Sequence, residues 1–350
     1  MQDRRQFMGA ALGAWATMML PGSLKGQNTS PSRKARIFPK RLQKGDTVGL
    51  IAPGYAIEKR ALEDAKSALG QMGLVPYHTD RILHKHGYFS HTDEERAKDV
   101  NHMFSNPDVA GILCARGGYG CTRIMQMIDY ETILAHPKVL IGFSDITALL
   151  NGIFSETGLI TFHGPVGSTL NDSYSMEQLK CMVMDPKDHM SIENAQITDK
   201  ELLGNPEYDR YIITPGSTTG PLAGGSLTLI NALIGTPHEI DFTDTLVCIE
   251  DVEEAPYRMD RMLTQLIAGK TFSKAAGILI GVSAGCNTST NPDSFSLKEV
   301  LTDRLAPLNI PAVYGMSFGH IAQNFTFPIG VKAKMNTENM TLELLEKPVS

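Results

Sequence analysis

The residue with the clearest chemical potential is Ser144, which lies where an apolar strand gives way to a helix. The run KVLIGFSDITALLNGIF is strand-like up to Gly142, and a helical pattern starts at Asp145. A serine on such a turn exposes its hydroxyl, and the backbone N–H groups of the first helical turn point toward an oxygen bonded to it. Ser144 is therefore a candidate nucleophile. The alternative is a helix N-cap, and the G-x-S-x-G pattern is incomplete because Ile146 replaces its last glycine.

A second candidate is the glycine-rich segment ARGGYG at residues 115–120, which follows another predicted strand. Ligand sites in parallel sheets gather at the carboxyl ends of the strands, and glycine lets the backbone approach a ligand closely. One N–H group of this segment could therefore help to bind an oxyanion. A plain glycine turn is the alternative. A phosphate-binding loop is disfavoured because no GK[ST] follows.

A nucleophilic serine needs a base, and the base needs a group that orients it. Among the ten histidines, His163 and His320 both end apolar runs and are candidate bases, whereas His238 follows a proline in a predicted loop. Glu250 closes the apolar strand LVCIE, and a carboxylate in that place suggests a functional role. Its structural alternative is a salt bridge to Arg258 or Arg261.

Alternating strands and helices must position these residues. Apolar strand-like runs such as TVGLIAPG and LITFHGP are separated by stretches with helical spacing, such as EKRALEDAKSALGQMG. This order predicts an α/β fold with a mostly parallel sheet covered on both faces. The predicted organisation comprises an N-terminal nucleophile domain at 37–170, a connection at 171–219 and a smaller C-terminal α/β domain at 220–345. The connection is predicted to hold extra strands, with NAQITDKELLG among them.

Composition narrows the class of protein. The chain has 350 residues, of which 42% are hydrophobic, and this is enough for one large or two ordinary domains. A formal net charge of −6 does not suggest a nucleic-acid partner. The five scattered cysteines are interpreted as buried apolar side chains, and His84, His86 and His91 as a solvated loop. We therefore expect no metal site and no disulfide framework.

The first 26 residues are predicted to be a signal peptide. Arg4 and Arg5 precede an apolar stretch that ends before Pro21, and RRQFM resembles the core of a twin-arginine signal. The apolar stretch is shorter than the roughly 20 residues of a membrane span, although a retained anchor is an alternative. We expect export to the periplasm, a linker at 27–36 and no membrane span in the mature chain.

Taken together, the motifs resemble those of the LD-carboxypeptidases, relatives of the microcin C resistance peptidase. The matching stretches occur in family order over residues 37–345: GDTVGLIAPG, TDEERAKDV, ILCARGGYG, LIGFSDITALL, FHGP, GPLAGGSLTLINALIGTP, IEDVEEAPYRMDRMLTQL and FGHIAQNFTFPIG. The resemblance implies an active site between two domains, with a triad of Ser144, Glu250 and His320. The resemblance therefore favours His320 over His163 as the catalytic base.

The resemblance also implies an oxyanion hole from the N–H groups of Asp145 and Gly118, no cofactor, and a possible homodimer. The implied reaction is release of terminal D-alanine from murein tetrapeptides, and Arg116 is a candidate for binding the terminal carboxylate. Three alternatives remain open: the same triad on another amide such as an aspartyl-nucleotide conjugate, an exported muropeptide-binding protein with a vestigial site, and an amidotransferase-like enzyme with Cys114 or Cys121 as nucleophile.

Overall fold

A computed structural model of the chain describes residues 34–200 and 202–350. The predicted signal peptide and most of the predicted linker therefore lie outside the described residues. Within these ranges, none of the helices has the length and apolar character needed to cross a membrane.

The strands follow one another in this order: β1 (Thr47–Ile51), β2 (Val75–Tyr77), β3 (Gly111–Cys114), β4 (Val139–Gly142), β5 (Thr161–His163), β6 (Met190–Ile192), β7 (Tyr211–Thr214), β8 (Ser217–Ser226), β9 (Leu246–Glu250), β10 (Gly277–Gly281), β11 (Ala312–Met316), β12 (Phe327–Ile329), β13 (Lys332–Asn336) and β14 (Thr341–Leu344). The helices are α1 (Lys59–Gln71), α2 (Asp93–Ser105), α3 (Cys121–Ile124), α4 (Tyr130–Ala135), α5 (Thr147–Thr157), α6 (Ser173–Val183), α7 (Leu227–Leu233), α8 (Pro256–Ala268) and α9 (Leu297–Leu305).

The strands form two sheets, and the first carries the candidate nucleophile. Its order is β12-β5-β4-β3-β1-β2, with β1 to β5 parallel and β12 antiparallel at one edge. β3 and β4 are buried along their whole length, as expected for central parallel strands covered on both faces. The predicted α/β class and parallel sheet are confirmed. Because β3 and β4 are neighbours, the glycine-rich segment and Ser144 emerge side by side.

The second sheet has the order β6-β14-β13-β8-β9-β10-β11-β7, and the four consecutive strands β8 to β11 are parallel. Glu250 is the last residue of β9, and His320 follows β11. The segment at 171–219 supplies both edge strands, β6 and β7. In addition, β12 joins the first sheet although its neighbours in the chain belong to the second.

The strand predicted for NAQITDKELLG, residues 194–204, is wrong. None of the described residues of this stretch is in a strand. Its backbone groups pair with side chains instead: the N–H of Ala195 donates to Ser317 Oγ at 3.0 Å, and its carbonyl accepts from Arg210. The Asn194 side chain accepts from the N–H of Ser317 at 2.9 Å. The segment is therefore fixed as a loop beside the end of β11.

The two sheets are braced at the helix that follows Ser144. Thr147, in the first turn of α5, accepts a hydrogen bond from the N–H of Ser226 at 3.0 Å, and Asn151 donates to the carbonyl of Gly224 at 2.9 Å. Both Thr147 and Asn151 are buried. Since Ser226 is paired in register with Glu250, the brace links the nucleophile's helix to the strand that carries the carboxylate.

Candidate active site

Ser144 has a backbone conformation that non-glycine residues rarely adopt. Its φ is +64°, in the left-handed region, which costs an L-residue about 1–2 kcal/mol. A helix-capping serine has extended backbone instead, so the cap alternative does not hold. Ser144 is partly exposed, whereas Phe143 and Asp145 on either side are buried. Backbone strain at an accessible nucleophilic side chain is common at functional sites.

The glycine-rich segment lies directly against Ser144. A Cβ atom placed on Gly117 would come within 2.9 Å of Ser144 Cβ and 3.1 Å of Ser144 Oγ. Gly118 has a φ of +115°, and a Cβ there would lie 2.4 Å from the Tyr55 ring. Both positions therefore require glycine, the first for close approach and the second for its conformation.

Two buried charged side chains hold this segment in place. Arg96 is 1% exposed, and its Nη1 donates to the carbonyl of Gly120 at 3.0 Å and to the carbonyl of Pro53. Asp145 Oδ2 accepts from the N–H of Cys121 at 2.9 Å. Burial raises the pKa of the Asp145 carboxyl above its usual value. Asp145 can therefore contribute in two ways, since its side chain fixes the segment while its own N–H lies at the turn.

Sequence reasoning did not single out Arg96, although a signal was available. Arg96 lies in a charged run, DEERAKDV, that is typical of an exposed helix surface. Its helical spacing from Val100 and Met103, at four and seven residues, places it on the buried stripe of α2. A charge on that stripe indicates an internal partner, here Asp93, whose carboxylate accepts from Arg96 and from Arg123.

Glu250 and His320 are hydrogen-bonded to each other. His320 Nδ1 lies 2.7 Å from Glu250 Oε2; Glu250 is fully buried, while the His320 side chain is 21% exposed. Donation from Nδ1–H to the carboxylate leaves Nε2 as the basic nitrogen. Burial alone would lower the pKa of His320, but Glu250, with Asp251 and Glu253, raises it above its usual value. The salt-bridge alternative for Glu250 is wrong: among the described residues, Arg258 pairs with Glu254 at 3.2 Å, and the Arg261 guanidinium lies 5.8 Å from the centre of the Tyr257 ring.

The other candidate bases have different surroundings. His163 is fully buried and stacked on Phe327, with ring centroids 4.5 Å apart, and neither of its ring nitrogens has a hydrogen-bond partner among the described residues. Burial lowers the pKa of His163 to about 4. The Phe143 ring contacts both His163 and His320, at centroid distances of 6.1 and 4.8 Å. His238 lies against Glu156, with Nδ1 and Oε1 3.5 Å apart.

The remaining candidates are Arg116 and the two cysteines beside the glycine-rich segment. Arg116 is exposed; its Nη1 donates to the carbonyl of Ala56 at 3.2 Å, and its guanidinium lies 5.6 Å from the centre of the Tyr55 ring. Arg116 therefore contacts Tyr55 and Ala56 from within the glycine-rich segment. Cys114 and Cys121 are buried, and burial raises the pKa of both thiols far above the usual range. Neither thiol can readily form the thiolate that a cysteine nucleophile requires.

Comparison with known proteins places this arrangement in a family. Residues 48–164 match the LD-carboxypeptidase N-terminal domain, and residues 219–335 match the LD-carboxypeptidase C-terminal domain. A Bacillus subtilis protein named probable murein peptide carboxypeptidase is 39% identical over 87% of this chain and 92% of the relative. The murein tetrapeptide carboxypeptidase of Pseudomonas aeruginosa is 30% identical over 82% and 92%, respectively.

A solved structure has the same fold. The crystal structure of an MccF-like protein from Bacillus anthracis superposes with a TM-score of 0.78 at 25% identity, covering 89% of this chain and 99% of that one. The resemblance inferred from the motifs is confirmed, and the chain belongs to the LD-carboxypeptidase family.

Proposed function

We propose that this protein is a serine-type LD-carboxypeptidase that releases terminal D-alanine from murein tetrapeptides. The observation that carries the proposal is the pairing of a buried Glu250 with a half-buried His320, in the same fold as a strained, accessible Ser144. A carboxylate that orients a histidine for a serine on a sharp turn is the arrangement of serine hydrolases on unrelated folds. Relatives named murein carboxypeptidases support the choice of substrate.

In the proposed mechanism, His320 Nε2 takes the Ser144 proton as Ser144 attacks the carbonyl before the terminal residue. The N–H groups of Asp145 and Gly118 hold the oxyanion, which the contact of Gly117 with Ser144 supports. Glu250 fixes the tautomer of His320 and stabilises the imidazolium. His320 then protonates the leaving amine of D-alanine, and water hydrolyses the acyl-enzyme. These steps need neither a metal nor a cofactor.

A second candidate reaction uses the same triad on another amide, such as an aspartyl-nucleotide conjugate. The likeness to an MccF-like protein favours it as the alternative. A muropeptide-binding protein with a vestigial site is disfavoured, because the full set of Ser144, Glu250 and His320 is present and Glu250 is hydrogen-bonded to His320. Arg116 is proposed to bind the terminal carboxylate, since it is an exposed cation within the glycine-rich segment.

Stereochemistry tests the proposed substrate. The enzyme should release the last residue from a tetrapeptide that ends in D-alanine, but only poorly from one that ends in L-alanine or from the pentapeptide. Inverting the last centre moves its carboxylate and methyl group, and a displacement of about 1 Å at the scissile carbonyl can cost about 10²-fold in rate. Mass spectrometry of the three digests under identical conditions gives the comparison. Equal cleavage of the D- and L-terminated tetrapeptides would refute the LD-carboxypeptidase assignment.

We further propose that residues 1–26 direct export by the twin-arginine route to the periplasm. The support is the sequence alone: Arg4 and Arg5 before a short apolar stretch. Replacing both arginines with lysine should leave the precursor in the cytoplasm, as measured by cell fractionation and immunoblotting. Unchanged export of the double variant would exclude the twin-arginine route.

A further inference from the structure

Three buried side chains carry polar atoms that the proposed mechanism does not use. Glu250 Oε1, both ring nitrogens of His163 and Thr326 Oγ1 have no hydrogen-bond partner among the described residues. All three residues are fully buried. A buried polar group without a partner costs free energy, so three such groups in one place would indicate a shared partner.

His163 and Thr326 are neighbours in the first sheet. His163 ends β5 and is paired in register with Phe327 of β12, the residue that follows Thr326. A Cβ atom placed on Gly164, the residue after His163, would lie 2.4 Å from Thr326 Oγ1. The Thr326 hydroxyl therefore lies beside the backbone that carries the imidazole.

His163 also borders the strand of the second sheet that carries the carboxylate. A Cβ atom placed on Gly225 would lie 3.1 Å from His163 Cδ2, and Gly225 precedes the residue that is paired in register with Glu250. The ring centroid of Phe318 lies 6.3 Å from that of His163, while a Cβ atom on Gly319 would lie 2.7 Å from Glu250 Oε2. The imidazole and the carboxylate therefore lie against adjacent residues, both on β8 and after β11.

The electrostatics of His163 suit a neutral hydrogen-bond donor. Burial lowers its pKa to about 4, against the opposing effect of the nearby Glu250 carboxylate. A neutral imidazole has one N–H donor and one acceptor nitrogen. His163 can therefore donate a hydrogen bond toward Glu250 without neutralising the charge that His320 needs.

We propose that His163 is a positioning residue, which donates through one buried water to the Glu250 oxygen that faces away from His320. The water accepts from the imidazole N–H and donates to Glu250 Oε1 and to Thr326 Oγ1. Buried waters commonly make about three hydrogen bonds to polar groups that otherwise lack partners. The inference deepens the proposed function, because it rests on the triad that contains Glu250 and His320.

A donor to Glu250 Oε1 affects the base through the carboxylate. Burial lowers the pKa of His320, but Glu250, Asp251 and Glu253 together raise it above the usual value. A hydrogen bond to Glu250 Oε1 draws part of the negative charge away from His320. Loss of that donor should therefore raise the pKa of His320 further.

The pH profile of a His163→Leu enzyme tests this coupling. Because His320 must be neutral to accept a proton, we expect the midpoint of kcat/KM against pH to rise by about 0.5 unit. The plateau at high pH should stay close to that of the unmodified enzyme, since Glu250 keeps its bond to His320. An unchanged midpoint with D-alanine still released would overturn this inference and leave the proposed function intact.

Further variants separate donation from packing. His163→Asn and His163→Gln return an amide donor near the positions of Nδ1 and Nε2, respectively, and one of them should restore the midpoint. Thr326→Val keeps the side-chain shape, so it tests the same water with little risk to folding, and its midpoint should also rise. His238→Leu is the matched control, because His238 is another buried histidine but lies against Glu156. Equal rises in all three His163 variants would overturn the role of a donor.

Nuclear magnetic resonance of isotope-labelled histidine measures the pKa of His320 without a substrate. His320→Ala identifies the His320 signal among the ten histidines. We expect the same upward shift in His163→Leu as in the kinetic profile. A raised pKa in an enzyme that releases no D-alanine would support this inference and refute the proposed substrate. An unchanged pKa without D-alanine release would overturn both.

Discussion

Replacing Ser144 with alanine is expected to lower kcat by about 10⁶-fold, the loss seen when the nucleophile of a serine triad is removed. Cys114 and Cys121 cannot readily take over as the nucleophile, because both are buried and burial raises the pKa of their thiols. The fold should persist, since Ser144 is partly exposed. The measurement is D-alanine release per enzyme per unit time, with circular dichroism to compare the folded states.

Two further variants serve as controls for this result. Ser155→Ala changes an exposed serine on α5, the same helix, and should leave kcat unchanged. Ser144→Gly should be as inactive as Ser144→Ala. Its free energy of unfolding should be higher than that of Ser144→Ala by about 1 kcal/mol, because glycine adopts a positive φ without strain. A Ser144→Ala enzyme with near-normal kcat would remove Ser144 from the mechanism.

Replacing His320 with alanine is expected to lower kcat by about as much as replacing Ser144, because the residues of a triad act as a unit. His163→Leu is the comparison, since leucine keeps an apolar side chain of similar size among the aromatic rings. It should retain most of the activity. If His163→Leu proved the more damaging of two folded variants, the base would be His163.

The pH profile of the unmodified enzyme tests the same base. His320 accepts a proton only when neutral, so kcat/KM should rise with pH. Because the pKa of His320 is raised, the midpoint should lie above its usual value near 6.5. Glu250→Gln removes the neighbouring carboxylate and should move the midpoint of the residual activity to lower pH. A rate that falls as pH rises from 6 to 8 would contradict a neutral histidine base.

The local sequence pattern was enough to predict that Ser144, Glu250 and His320 lie at or after the ends of strands. It could not decide whether His163 or His320 is the catalytic base. The reason is topological. His163 ends β5 and is paired in register with Gly142, so it emerges beside the nucleophile just as a base would. What buries it is Phe327 of β12, a strand 164 residues further along the chain. Such a long-range contact leaves no mark on the sequence around His163.

The loop at residues 194–204 could not be predicted from the local sequence pattern either. Residues 194–204 carry scattered apolar side chains that are compatible with a strand, whereas the hydrogen bonds of Asn194 and Ala195 with Ser317 and Arg210 hold the segment as a loop. Ser317 lies 123 residues after Asn194. Arg96 differs from these cases, because its place on the buried stripe of α2 could be predicted from helical spacing.

The central claim is that Ser144 forms a covalent acyl-enzyme with the stem peptide. Rapid acid quenching of the enzyme during turnover of the D-alanine-terminated tetrapeptide, followed by proteolysis and mass spectrometry, measures this directly. We expect an added mass equal to the tripeptide acyl group on the proteolytic fragment that contains Ser144, and no such adduct in Ser144→Ala. An adduct on a cysteine-containing fragment, or full turnover by Ser144→Ala, would contradict it.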